Sequence, residues 1–144
     1  MPSFGLTSKG LEIIQKAKDH NLDFIVNGMA MDYYNTEDDS DMGQSAIKSV
    51  DSIKGQLDTL YSSNVPYARV AITPMIGLND DVNGMFGLKD ALTVKEYSDR
   101  KDLGFKSYWS FNRDNPSAYS YVDLTTSSNP EQKIPGEYAL SLRD

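Results

Sequence analysis

Val26-Asn27-Gly28-Met29-Ala30-Met31-Asp32-Tyr33 is an apolar run that turns polar at its C-terminal end. Two later stretches do the same: Ala71-Ile72-Thr73-Pro74-Met75-Ile76-Gly77-Leu78-Asn79-Asp80 and Tyr108-Trp109-Ser110-Phe111-Asn112-Arg113-Asp114. Short apolar runs bounded by turn residues read as buried strands. What lies between them has helical periodicity, and strands alternating with long helices indicate parallel β/α units.

Working outward from the first string, Leu6 to His20 reads as a helix with Thr7 or Ser8 as N-cap and Leu11, Ile14 and Ala17 on one face. Leu22 to Met31 reads as a buried strand, and Gly28 within it suggests a close backbone approach or a bulge. Tyr34 to Met42 reads as a polar loop. Gln44 to Ser62 is a helix whose apolar stripe is Ala46, Val50, Ile53, Leu57 and Leu60, with Asp41 and Gln44 spaced as a capping box. The second strand covers Tyr67 to Thr73, a loop follows from Leu78 to Gly87, and Leu88 to Asp102 is a helix with Gly104 as its cap. Phe105 to Phe111 is the third strand. The Ser/Thr/Pro stretch from Leu124 to Pro135 is the least ordered candidate, and Glu137 to Leu142 forms a short terminal helix. The fold class is therefore α/β, three parallel strands alternating with helices, and strand ends that turn polar suit a partial (β/α) TIM barrel, which places its chemistry there. A complete barrel needs about 250 residues, and this chain has 144, so it holds only part of one.

Composition narrows the function. Hydrophobic residues at 39% with charged residues at 24% fit a globular class. A net charge of −7 repels phosphate backbones, so neither nucleic acid nor an anionic membrane is expected as a partner. No cysteine is present, which removes thiol nucleophiles and cysteine metal sites. No apolar run approaches the ~20 residues of a membrane span. Met1-Pro2-Ser3-Phe4 does not begin a signal peptide. His20 is the sole histidine and has no Ser or Cys constellation that sequence can show, which argues against a charge-relay hydrolase.

Together the three strings resemble the last three strands of the family 18 glycoside hydrolases, the chitinases. Met29-Ala30-Met31-Asp32-Tyr33 is similar to that family's strand-six signature. Thr73-Pro74-Met75-Ile76-Gly77 with Asn79-Asp80 looks like strand seven of its bacterial branch, and Trp109 to Asp114 like strand eight. Phe4-Gly5-Leu6-Thr7 resembles the loop after strand five. The resemblance implies that residues 1–144 are the C-terminal segment of a chitinase barrel that cleaves β-1,4-linked N-acetylglucosamine by a substrate-assisted, retaining route. The parent enzyme would be secreted, with chitin or chitooligosaccharide as partner and no cofactor or metal. By resemblance Asp32 orients the acetamido group, Tyr33 supplies the hydroxyl beside it, Trp109 is the floor of the sugar site, and Met29, Met75 and Asn79 line it. Tyr34 stands where close relatives tend to carry glycine. The family's acid motif, Asp-x-x-Asp-x-Asp-x-Glu, occurs nowhere in the chain, so the resemblance implies that this chain alone is inactive.

Plainer readings stand beside these. Taken singly, Asp32 reads as a loop cap, Trp109 as a core aromatic, and Met29, Met31 and Met75 as packing. Asn79-Asp80-Asp81-Val82-Asn83-Gly84, running on to Asp90, imitates an EF-hand loop, but its first position is not acidic, its twelfth is not glutamate, and a strand precedes it. Glu37 to Asp41 reads as a solvated acidic loop suited to the next helix N-terminus. The alternative functions are a non-catalytic sugar-binding or assembly module and an inactive truncated remnant. Three parallel strands leave two open edges, so an N-terminal half-barrel or a second copy of the chain is the expected neighbour.

Overall fold

The computed structural model describes residues 3–81 and 83–143, without the side chain of Thr36. Met1 and Pro2, where the signal-peptide reading begins, and Val82 of the EF-hand-like string lie outside the described residues. The helices are α1 (Ser8–Asp19), α2 (Thr36–Asp39), α3 (Met42–Tyr61), α4 (Leu88–Lys101) and α5 (Glu137–Leu142). The strands are β1 (Val26–Ala30), β2 (Val70–Pro74), β3 (Gly77–Leu78), β4 (Met85–Phe86) and β5 (Phe105–Lys106).

β1, β2 and β5 form a parallel sheet in that order, with Val26 opposite Val70 and Ala71 opposite Phe105. The α/β expectation is met: each neighbouring pair is joined through a long helix. The register of β1 on β2 runs through Gly28 and Ile72 without a bulge. Beyond Lys106 the third strand thins to single contacts. Ser107 N–H reaches Ile72 O, Trp109 N–H reaches Pro74 O, and Ile76 N–H reaches Trp109 O. The Trp109–Ser110 peptide is cis, and a 3-10 turn takes over at Phe111–Arg113.

The core lies on one face only. Val26, Ala30, Val70 and Ile72 pack against the predicted stripe of α3, where Ala46, Val50, Ile53 and Leu57 are buried while the fifth position, Leu60, is only partly buried and outside the core, and against Ala91, Val94 and Tyr97 of α4. The expectation of a buried first strand is therefore corrected. β1 alternates, with Val26, Gly28 and Ala30 buried and Asn27 and Met29 exposed, because helices cover just one side. Leu22 and Ile25 are exposed as well.

Caps explain where helices start. Thr7 accepts from Gly10 N–H, and Asp41 from Gln44 N–H. Asp102, with φ 56°, ends α4 in the left-handed region, a role expected of Gly104. Two expected loops hold structure. Residues 34–42 contain α2, capped by Asn35, and residues 78–87 contain the antiparallel hairpin β3–β4. Gly77 makes that hairpin possible: at φ +72° a Cβ would stand 1.8 Å from Ser127 O. The Ser/Thr/Pro stretch is not loose. Ser127, Ser128, Asn129 and Gln132 are buried, and Asp114 ties the stretch down by accepting from Gln132 Nε2 at 2.7 Å. The same carboxylate accepts from Tyr138 and Ala139 N–H, satisfying the open donors of α5. No helix among the described residues is long and apolar enough to cross a membrane.

Candidate functional site

The uncovered face of the sheet carries a polar row and, nearer the C-terminal strand ends, an apolar one. Asn27 Nδ2 donates to Thr73 Oγ1 at 2.8 Å, and Thr73 Oγ1 lies 2.6 Å from Ser107 Oγ, so the three strands are laced by side chains. Met29 stands opposite Thr73, and Met75 opposite Trp109. Met29 is 51% and Trp109 55% exposed. A half-exposed tryptophan on an open sheet face is not the core residue that the plainer reading allows. Met75 is buried beside it and presents almost no surface.

At the end of β1 the chain turns sharply. Asp32 and Tyr34 both take the left-handed conformation, with φ of 52° and 55°. Three bonds hold this turn against the β3–β4 hairpin. Asp32 N–H donates to Asn79 Oδ1 at 3.1 Å, Asp80 N–H donates to Asp32 Oδ1 at 2.9 Å, and Tyr34 N–H donates to Asp81 Oδ2 at 3.3 Å. Asp32 is half-buried, and burial raises its carboxyl above the ordinary range; the Asp80 N–H pulls it back while the Asp80 and Asp81 carboxylates push it up further. The result is a fixed carboxyl group beside an exposed apolar floor, able to accept from a ligand N–H or O–H.

Two expected site residues are placed elsewhere. Asn79 is fully buried, and its amide is consumed by Met75 O, Gly77 O and the Asp32 N–H. It positions Asp32 and lines no surface. The Tyr33 side chain points into the core against α3, beside Ser49, where burial drives its phenol well above the usual range. Its hydroxyl lies on the core side because the left-handed turn at Asp32 breaks the alternation of β1, which if continued would have set Tyr33 on the open face with Asn27 and Met29. Tyr34, 71% exposed, is left at the site's rim.

Left-handed backbone costs a side-chain residue what glycine does not pay. Replacing Tyr34 with glycine is expected to raise the melting temperature by about 2–3 °C, the relief being partly offset by the entropy of the unfolded glycine. Thermal melts followed by circular dichroism check this; a lower melting temperature would mean that the exposed ring contributes more than the turn costs.

The acidic side chains Asp81 and Asp90 of the EF-hand-like string are engaged by the backbone. Asp81 accepts backbone N–H groups of Asn83, Gly84 and Tyr34, and Asp90 caps α4 through Gly87 N–H and holds Gly43 N–H. These carboxylates are turn and cap groups. Among the described residues no group of three or more acidic or histidine side chains is placed to hold a metal ion. The acidic loop also departs from expectation: Asp38 and Asp39 are buried rather than solvated. Arg113 is a further residue that sequence reasoning did not single out. It is 2% exposed and holds the carbonyls of Leu78, Asp123 and Thr126. A charged residue directly after an apolar strand is almost never buried unless its groups are engaged, and no pattern in the sequence announces those three carbonyls.

No protein-family model matches the chain. Endochitinase 11 of Metarhizium anisopliae is 31% identical over 133 residues, covering 85% of this chain and 26% of that protein. A probable bifunctional chitinase/lysozyme of Escherichia coli (strain K12) is 32% identical over 123 residues, or 78% of this chain and 14% of that protein. Among solved structures, catalytic-site mutants of active domain 2 of the chitinase from Pyrococcus furiosus superpose with a TM-score of 0.84 at 28% identity, covering 96% of this chain and 45% of that chain. The same domain complexed with chito-oligosaccharides superposes with a TM-score of 0.83 at 26% identity, covering 94% of this chain and 44% of that one. The chain therefore spans about a quarter or less of these curated relatives and under half of the solved domain.

Proposed function

We propose that this chain, which in sequence and fold is the C-terminal part of a chitinase catalytic domain, supplies part of the wall and floor of a site for β-1,4-linked N-acetylglucosamine. The observation that carries this reading is the Asp32 turn held rigidly at the C-terminal edge of a sheet face floored by Trp109 and Met29. That is where a (β/α) barrel keeps its chemistry. The relatives named above are chitinases, and one solved neighbour is complexed with chito-oligosaccharides.

In this reading the Trp109 ring lies under the C–H face of a sugar, and the Asp32 carboxylate accepts the acetamido N–H. The acetamido oxygen would then be held for attack on the anomeric carbon in the substrate-assisted, family 18 manner. A general acid must come from outside these residues. The open sheet face and the free edges of β1 and β5 suit the missing β/α units of the same domain, and a second copy of the chain would meet the same surface.

The absence of the acid motif favours one other reading, a sugar-binding module without turnover. Both readings make Trp109 a binding residue. A sugar ring covering about 60 Å² of apolar surface at about 25 cal/mol per Å² is worth about 1.5 kcal/mol, so Trp109→Ala is expected to weaken chitooligosaccharide binding about 10-fold. Isothermal titration measures this. Unchanged affinity would sink the floor assignment in both readings.

A further inference from the structure

The acidic segment after β1 contains a feature that solvation does not explain. Asp39 is 8% exposed, and both its carboxylate oxygens are buried with no conventional donor. They face Asp81. A Cβ placed on Gly84 would stand 3.2 Å from Asp81 Oδ1 and 3.3 Å from Asp39 Oδ1, so the two carboxyl groups converge on one patch of backbone. Met42 closes the same patch, with its sulfur 2.6 Å from that position.

We propose that Asp39 and Asp81 share one proton, and that this proton clasps α2 to the β3–β4 hairpin and so holds the Asp32–Tyr34 turn, making both aspartates positioning residues for Asp32. Two buried carboxylates in contact cannot both remain ionised at low cost. Asp81 is the member that keeps its charge, because it accepts from Gly84, Asn83 and Tyr34 N–H. Asp39 is the member that keeps the proton and donates it to Asp81. Tyr34 N–H is bonded to the same Asp81 carboxylate, two residues from Asp32. The clasp thus ends at the site.

The surroundings agree. Burial first, then Asp81 and Asp38, push the Asp39 carboxyl up to about 6, whereas Asp81 is held below its ordinary value by its backbone donors. The other ionisable groups that act on the pair are Asp38 on α2 and Asp32, Tyr33 and Tyr34 at the end of β1, with Lys48 of α3 and Glu37 of α2 beyond Asp38. Lys48 is taken by Glu37 at 3.7 Å and by Asp38 at 4.0 Å. A cation would be the other way to reconcile two carboxylates. It is disfavoured because three of the roughly four lone-pair sites of Asp81 already accept N–H groups, which leaves room for one hydrogen bond and not for a coordinated ion. The sign follows. Asp39 is raised above its unfolded value of 3.8, so the stability it contributes is complete below that pH and is lost as pH rises through about 6.

The shared proton does not depend on the sugar-site reading; only its consequence for Asp32 does. The test is a carboxyl and amide NMR titration of the full chain without sugar, from about pH 4 to 8, spanning the ordinary and the raised carboxyl ranges. The expected result is an Asp39 midpoint near 6, with the Tyr34 and Asp80 amides moving at the same midpoint. Asp39→Asn, whose amide donates to Asp81 at every pH, should flatten those amide curves at their acid-side positions. Asp81→Asn should lower the Asp39 midpoint, leaving only the part of the rise that burial and Asp38 hold up. An Asp39 midpoint near 4, or a Tyr34 amide that does not move, would overturn the proposal. So would millimolar calcium at neutral pH reproducing the acid-side shifts, because a cation would then occupy the pair. Failure of the sugar reading shows instead in the Trp109→Ala affinity and leaves this titration intact.

Discussion

Incubated with a fluorogenic chitobioside, this chain is expected to release fluorophore at the rate of the buffer control. Hydrolysis of a glycosidic bond needs a group that protonates the leaving oxygen, and general acid catalysis of this kind contributes about 10²–10⁴-fold. Among the described residues, the carboxyl group that the structure fixes at the end of the strand carrying Met29 is Asp32, with one oxygen bonded to Asp80 N–H. Its bonded oxygen is an acceptor, and in the proposed site the carboxylate takes the acetamido N–H and leaves the glycosidic oxygen without a proton donor. The five glutamates are Glu12, Glu37, Glu96, Glu131 and Glu137. Glu12, Glu37, Glu96 and Glu131 are exposed, and the carboxylate of Glu137 is bonded to the backbone N–H groups of Lys133 and Ile134. None stands on the open sheet face. Continuous fluorescence over hours, with enzyme at micromolar concentration, measures the rate. Turnover well above buffer would show that an acid is present after all, and Asp32→Asn would then identify whether it is Asp32.

Arg113→Ala is expected to destabilise the fold by about 3–5 kcal/mol, which places it among the severe substitutions. The guanidinium is 2% exposed, so its charge has already been taken out of water. In return Nη2 donates to Leu78 O at 2.8 Å, and Nε donates to Asp123 O at 2.9 Å and Thr126 O at 3.3 Å. Burial pulls its pKa down while Asp80, Asp123 and Asp32 raise it. Truncation leaves three carbonyls without their donor and opens a cavity under the hairpin that carries Asn79 and Asp80. Each buried group left unsatisfied costs about 1–3 kcal/mol. Lysine would not restore the arrangement, because a single ammonium cannot reproduce the planar fork. Urea denaturation gives the free energy directly. A loss below about 1 kcal/mol would mean that Asp114, through Gln132, Tyr138 and Ala139, docks the tail unaided.

Much of this molecule is legible one residue at a time. Four of the five stripe positions, Ala46, Val50, Ile53 and Leu57, are buried as their spacing requires, Asp41 caps where its distance from Gln44 requires, and α5 runs over Glu137–Leu142 as expected. These features depend on local geometry, on which neighbours three or four residues apart already agree. What failed depends on distant partners. Asn79 and Arg113 are polar, sit in strings that otherwise read as site residues, and turn out to serve backbone groups from other elements. The acidic run after Tyr34 folds into a short helix with two buried carboxyls, because Asp81 and Ser45 reach it from other parts of the chain. The Ser/Thr/Pro stretch is ordered by Asp114 in the same way.

The sequence by itself determined the order and parallel arrangement of the three main strands, the long helices between them, most of the α3 face that meets the sheet, and the strand ends where Asp32 and Trp109 sit. Periodicity and capping are short-range, so they survive without knowledge of the rest of the fold. Only the tertiary structure decided that Trp109 and Met29 are exposed while Met75 is not, that Tyr33 belongs to the core, and that Asp32 is held by Asn79 and Asp80. Those assignments turn on which face of the sheet the helices cover and on which backbone groups a buried side chain must satisfy, and both are set by elements tens of residues away.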